Sequence, residues 1–224
     1  MAGFPQMSYF DPVMFGIELG FTLVAVVFCF LIYFKTKEIY ELTKYKGIRY
    51  FRGAFFFFGL SYVMRFLFSL VLLSKIAFDF FLPRHLVMPF FILPLGYLST
   101  IGIFYLIFSS VWKRFNNKNM LFVGHTVAIV LSLASFATRS HFILVLLQCV
   151  LLLVAVILRI CMGKERRGLS QIKVLYFLVA FLWLINLLVL GRRRPYSLEI
   201  EVSFQVISLF VFVLIYYKIS KWVK

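Results

Sequence analysis

An all-α integral membrane protein, a bundle of seven transmembrane helices, is the fold this sequence predicts. Three features carry the prediction: overall composition, the spacing of the apolar runs and the placement of the cations. Apolar residues make up 63% of the 224-residue chain and charged residues only 14%, and the mean hydropathy is +1.00. Soluble domains carry roughly 45–50% apolar and about 25% charged residues. A soluble fold of this length has too little interior to hide the excess, so lipid is the expected solvent.

A spanning helix needs roughly 20 predominantly apolar residues. Seven runs meet or approach that length: Val13–Phe34, Gly53–Ala77, Met88–Trp112, Met120–Ala137, His141–Ile160, Val174–Leu190 and Val202–Ile219. The whole chain, 1–224, is therefore expected to form a single seven-helix transmembrane domain of a multi-pass cell-membrane protein. Helices are preferred over a barrel because backbone in lipid must satisfy itself, and the runs lack the two-residue alternation of barrel strands.

The first run has no basic residue before it and is longer than a signal-peptide core, so it is expected to remain as an anchor. Within it, Gly16 and Gly20 match a small-residue packing motif, and Glu18 is a charge near its outer end. The following stretch, KTKEIYELTKYKGIRYFR, mixes cations with Tyr and Ile and is expected to lie as a loop in the headgroup layer. The second run, GAFFFFGLSYVMRFLFSLVLLSKIA, carries Arg65 at its centre. The third contains Pro94, which cannot donate to the Phe90 carbonyl and is expected to kink the helix as a hinge. The fourth and sixth runs are short. Trp112, Tyr216, Tyr217 and Trp222 stand near run ends, as an aromatic belt would.

Orientation follows from the cations. With charges at run ends assigned to the adjoining loop, the loops after spans one, three and five plus the C-terminal tail hold 17 Lys and Arg. The opposite side holds 6, and Arg65 completes the 24. Basic loops stay cytoplasmic, which places the N-terminus outside and the C-terminus inside. The net charge of +16 is thus mainly a topology signal with attraction to anionic headgroups, and nucleic acid is not an expected partner.

A central arginine costs about 2.5–3.5 kcal/mol to insert, so it is expected to face protein or water and to have a partner. Ser61, Tyr62, Arg65 and Ser69 recur at spacings of three and four and share one helix face. Glu18 is the other charge well inside a span, and a long arginine can reach it, so a Glu18–Arg65 pair is expected. Tyr97, Ser99 and Thr100 in the third span, Gln148 in the fifth, Asn186 in the sixth and Gln205 in the seventh lie at compatible depths. Glu199 and Glu201 stand at the mouth of the seventh. Together these predict a polar, outward-facing cavity formed by Glu18, Tyr62, Arg65, Tyr97, Thr100, Gln148, Asn186 and Gln205. Separate interhelical hydrogen bonds, each worth about 0.6 kcal/mol, are the competing reading of the same residues.

Catalytic signatures are missing. The three histidines, His85, His125 and His141, form no HExxH and no metal-binding helical pair, so neither a zinc hydrolase site nor paired haem ligands can be assembled. There is no GxSxG, no pair of intramembrane aspartates and no phosphate-cradling glycine loop. Covalent retinal would need a lysine mid-way along the last span, where VSFQVISLFVFVLIYYKI offers only Lys218 at its edge. Cys29, Cys149 and Cys161 show neither metal spacing nor a disulfide framework. The chain is read as a non-enzyme without a cofactor.

One family likeness rests on FRGAFFFFGLSY followed by a span containing MPFFILPLGYL. Through Arg52, Gly53, Ala54, Pro89 and Pro94, this order resembles the seven-transmembrane sensor region that precedes some prokaryotic histidine kinases. The resemblance covers two of seven spans and implies an outward-facing sensing bundle. No kinase follows KISKWVK, so signalling would run through a separate cytoplasmic or membrane partner. The expected function is a receptor-like module binding a small polar or anionic ligand. A small-solute transporter or channel, and a non-catalytic membrane-complex subunit, are the alternatives.

Overall fold

The computed structural model describes residues 12–77, 84–112, 118–138, 141–161, 170–190 and 198–223. Seven helices account for nearly all of them: α1 Pro12–Thr43, α2 Lys46–Ala77, α3 Arg84–Val111, α4 Lys118–Thr138, α5 His141–Cys161, α6 Ser170–Leu190 and α7 Leu198–Val223. Six of them are long and apolar enough to cross a membrane, and the described apolar stretch of α6, Val174–Leu187, is shorter. The chain is a helical membrane protein.

The expected loop after the first apolar run is helical instead. α1 continues to Thr43 and α2 starts at Lys46, leaving a turn of Lys44 and Tyr45. A helix of 32 residues is about 48 Å long, against a hydrocarbon core of roughly 30 Å, so α1 and α2 overshoot the apolar layer as a helical hairpin. Local chemistry favours this. Lys35 pairs with Glu38 at 2.6 Å and Lys37 with Glu41 at 3.8 Å, at helical spacings. α1 stops where Lys44 adopts a positive φ of 50° and its N–H bonds back to the Tyr40 carbonyl at 2.8 Å, the single-bond left-handed cap.

Neighbouring helices close a ring in the order α1–α2–α3–α5–α6–α7 and back to α1, with α4 outside it against α3 and α5. Small side chains mark the tight approaches: Ala25, Ala54, Ala128, Ala155 and Ala180 are all buried, as expected where lipid gives no hydrophobic drive between helices. The centre of the ring is filled by aromatic rings reaching across it. Phe58 of α2 stacks on Trp183 of α6 with centroids 4.0 Å apart. Tyr62 meets Trp183 and Phe212 of α7 edge-on at 6.1 Å each. Such pairs add about 0.5–1.5 kcal/mol beyond area burial. Glycine lets α3 approach this layer, because a Cβ on Gly102 would lie 2.4 Å from the Phe58 ring.

The outside is apolar too. Leu153, Ile157 and Ile160 on α5 and Val206, Phe210 and Val213 on α7 are exposed at helical spacing, which suits lipid as neighbour. The small-residue motif of α1 packs against none of the described residues: nothing among them lies within 4 Å of a Cβ built on Gly16 or Gly20. Cys29 is buried, Cys149 half-buried and Cys161 exposed.

Candidate functional site

Arg65 is 8% exposed and its guanidinium is met from α1. Nη2 donates to Oε1 of Glu18 at 2.9 Å and Nε to the same oxygen at 3.2 Å. The pair is asymmetric, with the Arg65 side chain 10% exposed and that of Glu18 33%. Glu201, at the first turn of α7, is near enough for its charge to interact with both. The polar face of α2 turns inward as its spacing dictates, and Ser61, Tyr62 and Ser69 are buried with Arg65.

Next to the guanidinium lies a cavity of about 40 Å³, with Ser61, Tyr62 and Arg65 on one wall, Ser99 of α3 and Gln148 of α5 on another, and Trp183 and Asn186 of α6 opposite. Gln148 crosses from α5 to α3, its Nε2 donating to Ser99 Oγ at 2.6 Å and Thr100 Oγ1 at 2.9 Å. Asn186 spends Nδ2 on the Leu182 carbonyl of its own helix at 2.8 Å. Two donors on the wall are unspent: Tyr62 Oη and Trp183 Nε1 are buried without a hydrogen-bond partner among the described residues. Buried polar groups normally find partners, and both residues line the same cavity as Arg65. The cavity therefore offers donors, and it fits an acceptor. Its volume holds a few water-sized particles.

Four of the expected site residues, Tyr62, Arg65, Gln148 and Asn186, line this one cavity, with Thr100 directly behind Gln148 and Glu18 on the far edge of Arg65. Two do not join it. Tyr97 turns to α4, where its hydroxyl sits 2.8 Å from His125 Nδ1, because its position on α3 faces the helix packed outside the ring. Gln205 is buried with Oε1 unpartnered among the described residues, but it does not line the cavity. The helix runs on through Pro94, and Ser132 of α4 donates to the adjacent Leu93 carbonyl at 2.5 Å, so a neighbour supports the backbone there. The side chains of His85 and His141 lie outside the described residues.

Sequence reasoning missed Trp183, although it precedes Asn186 by three residues and so shares its helix face. It also counted Arg159 with a loop. That residue is 8% exposed in the last turn of α5.

An open groove of about 670 Å³ runs along the start of α2, lined by Lys46, Arg49, Arg52, Tyr33, Tyr50 and Tyr105 among others, with no acidic residue on its described wall. Arg52 lies over the rings of Tyr33 and Tyr40 at 5.2 and 5.5 Å. Cations at the end of an apolar run reach headgroup phosphates readily. No group of three or more His, Cys, Asp or Glu positioned for a metal occurs among the described residues.

Neither a protein-family model nor a solved structure matches the chain. Among curated proteins it is similar to one from Archaeoglobus fulgidus, described as an uncharacterized protein, at 28% identity over 209 residues and 91% of each chain.

Proposed function

We propose that the protein is a receptor-like seven-span module of the cell membrane, with its N-terminus outside, that binds a small hydrogen-bond-accepting ligand beside Arg65. One observation carries the reading: Arg65, Tyr62 and Trp183 line a single small cavity, and the phenolic O–H and indole N–H of the last two are buried without partners among the described residues. The ligand class follows from the donors, and a compact carboxylate or similar acceptor fits them.

A switching step follows from the ion pair. Glu18 is one-third exposed while Arg65 is not, so Glu18 leaves at lower cost. A carboxylate ligand that takes over Arg65 releases α1 from α2 at that level. A ligand shifts a bundle only by its differential affinity for two packings, and this exchange of partners supplies one. A separate signalling protein would read the change, in keeping with the resemblance to kinase-linked sensor regions.

The test uses the purified full chain in detergent, melted in sodium formate or acetate against sodium gluconate at constant ionic strength. The expected result is a saturable rise in Tm for wild type, reduced in Tyr62→Phe and absent in Arg65→Gln. An equal rise in Arg65→Gln overturns the site. Mass spectrometry of small molecules retained after gentle purification identifies the natural ligand. Flux of the same carboxylates into proteoliposomes would favour a transporter instead.

A further inference from the structure

A second buried arginine lies towards the other end of the bundle. Arg159, in the last turn of α5, has Nε and Nη2 buried with no hydrogen-bond partner among the described residues. Its guanidinium lies over the Tyr176 ring, 4.9 Å from the centroid, and Arg159 is among the residues lining a void of about 30 Å³.

The wall of that void has few other donors to give. Tyr176 donates its hydroxyl proton to Ser109 Oγ, Ser109 passes its own to the Gly47 carbonyl at 2.6 Å, and Thr36 donates to the Ile32 carbonyl at 2.7 Å. Tyr45, Gly47 and a set of apolar residues complete the lining, with no carboxylate among them. The described acids near the end of α1 pair within that helix, Glu38 with Lys35 and Glu41 with Lys37.

A guanidinium does not shed its proton, and a buried charge without a counter-charge is strongly unfavourable. Water could fill the hydrogen bonds but would leave the charge. The two idle nitrogens are adjacent and form one edge of the guanidinium fork, the edge that grips anions. A void of this size admits one or two water-sized particles.

We propose that this void is a binding site for a small monovalent inorganic anion of about chloride's size, held between Nε and Nη2 of Arg159. The bound anion would sit against the Tyr176–Ser109–Gly47 chain of hydroxyls. That chain ties α6 and α3 to the first turn of α2, so occupancy would stiffen the α1–α2 hairpin at its base. The site is separate from the Arg65 cavity: Phe55 and Phe58, both fully buried, lie between the two along α2.

The experiment melts the purified full chain in sodium gluconate with chloride or bromide added at constant ionic strength. A saturable rise in Tm is expected for wild type and equally for Arg65→Gln, which separates this site from the other cavity. Arg159→Gln is expected to lose the halide response. If that variant does not fold, Arg159→Lys, which keeps the charge but not the fork, is expected to need at least tenfold more halide for half the shift. Sulfate is expected to reproduce none of the saturable response, and an equal response to sulfate overturns the size argument. Glu165 lies outside the described residues, and Glu165→Gln tests whether its carboxylate competes for the site. No halide response in wild type, but one appearing in Glu165→Gln, would assign the site to that carboxylate and overturn the proposal. No halide response in any variant would leave the void to water and overturn it as well.

Discussion

Arg65 gives two nitrogens, Nε and Nη2, to a single oxygen of Glu18, at 3.2 and 2.9 Å. The contact joins α2 to α1 and is asymmetric, with the Arg65 side chain 10% exposed and that of Glu18 33%. Removing Glu18 alone should therefore cost more than removing both, because Arg65 is left buried and unpaired. Arg65→Gln and Glu18→Gln are each expected to destabilise, Glu18→Gln by about 1–3 kcal/mol, with the double variant recovering part of the loss. Chemical unfolding of the four proteins in one detergent measures the coupling. Strict additivity would mean the pair contributes nothing as a pair.

The Phe58–Trp183 stack leaves no room on the α3 side. A methyl at residue 102 would sit 2.4 Å from the Phe58 ring, and Phe58 cannot retreat because Trp183 lies 4.0 Å behind it. Gly102→Ala is expected to lower stability by about 1–3 kcal/mol, the usual cost of overfilling a packed interior. The same substitution at Gly16, where nothing among the described residues lies within 4 Å, should leave the melting temperature unchanged, which makes it the matched control.

Gln148 makes two interhelical bonds, to Ser99 and Thr100. Interhelical hydrogen bonds in membranes average about 0.6 kcal/mol, so Gln148→Leu should cost only about 1 kcal/mol in stability. If the cavity binds a ligand, the same change should reduce the formate-dependent shift far more than it lowers the starting Tm. That split between a small stability effect and a large binding effect is the quantity to measure.

Much of this was legible in the residues because membrane burial leaves few alternatives. An arginine at the centre of a 25-residue, mostly apolar run had to find a partner, and Glu18 was the acid within reach in the spans. The inward face of α2 followed from spacing alone. Tyr97 failed because depth along α3 was readable while direction around it was not. That helix faces α2, α4 and α5 at once, so three sides of it are interior. Arg159 failed for the opposite reason. It sits near the end of its apolar run, where a cation normally snorkels to water, and only the packing of Tyr176 over it reveals burial. The hairpin of α1 and α2 was missed because hydropathy marks where the hydrocarbon ends, not where the helix does. Lys35 to Thr43 is polar and still helical.

The turn of that hairpin offers a stabilising change. Lys44 holds a φ of 50°, a region that costs a non-glycine residue roughly 1 kcal/mol, and the left-handed cap it forms is one that glycine fills without strain. Lys44→Gly is expected to raise stability by a few tenths to about 1 kcal/mol despite the extra freedom of the unfolded chain. Lys44→Pro should lower it, since proline cannot reach a positive φ and would remove the bond to Tyr40.

The two cavities bear on whether the bundle conducts. On α2 one ends at Phe51 and the other begins at Ser61, a separation of ten residues or about 15 Å of helix. The interval is closed by Phe55, Phe58 and Phe212, all nearly or fully buried, with Trp183 stacked on Phe58. A hydrated ion crossing there would lose its water to aromatic carbon, since the polar groups of the two cavities stop short of this layer. Proteoliposomes of the wild-type protein are therefore expected to show no formate or chloride flux above that of protein-free vesicles. Phe58→Ala, which removes the central ring, should admit a measurable leak if the layer is the barrier. Flux in the wild type at rates that survive Arg65→Gln would mean that the layer opens, and that a path other than the Arg65 cavity carries it.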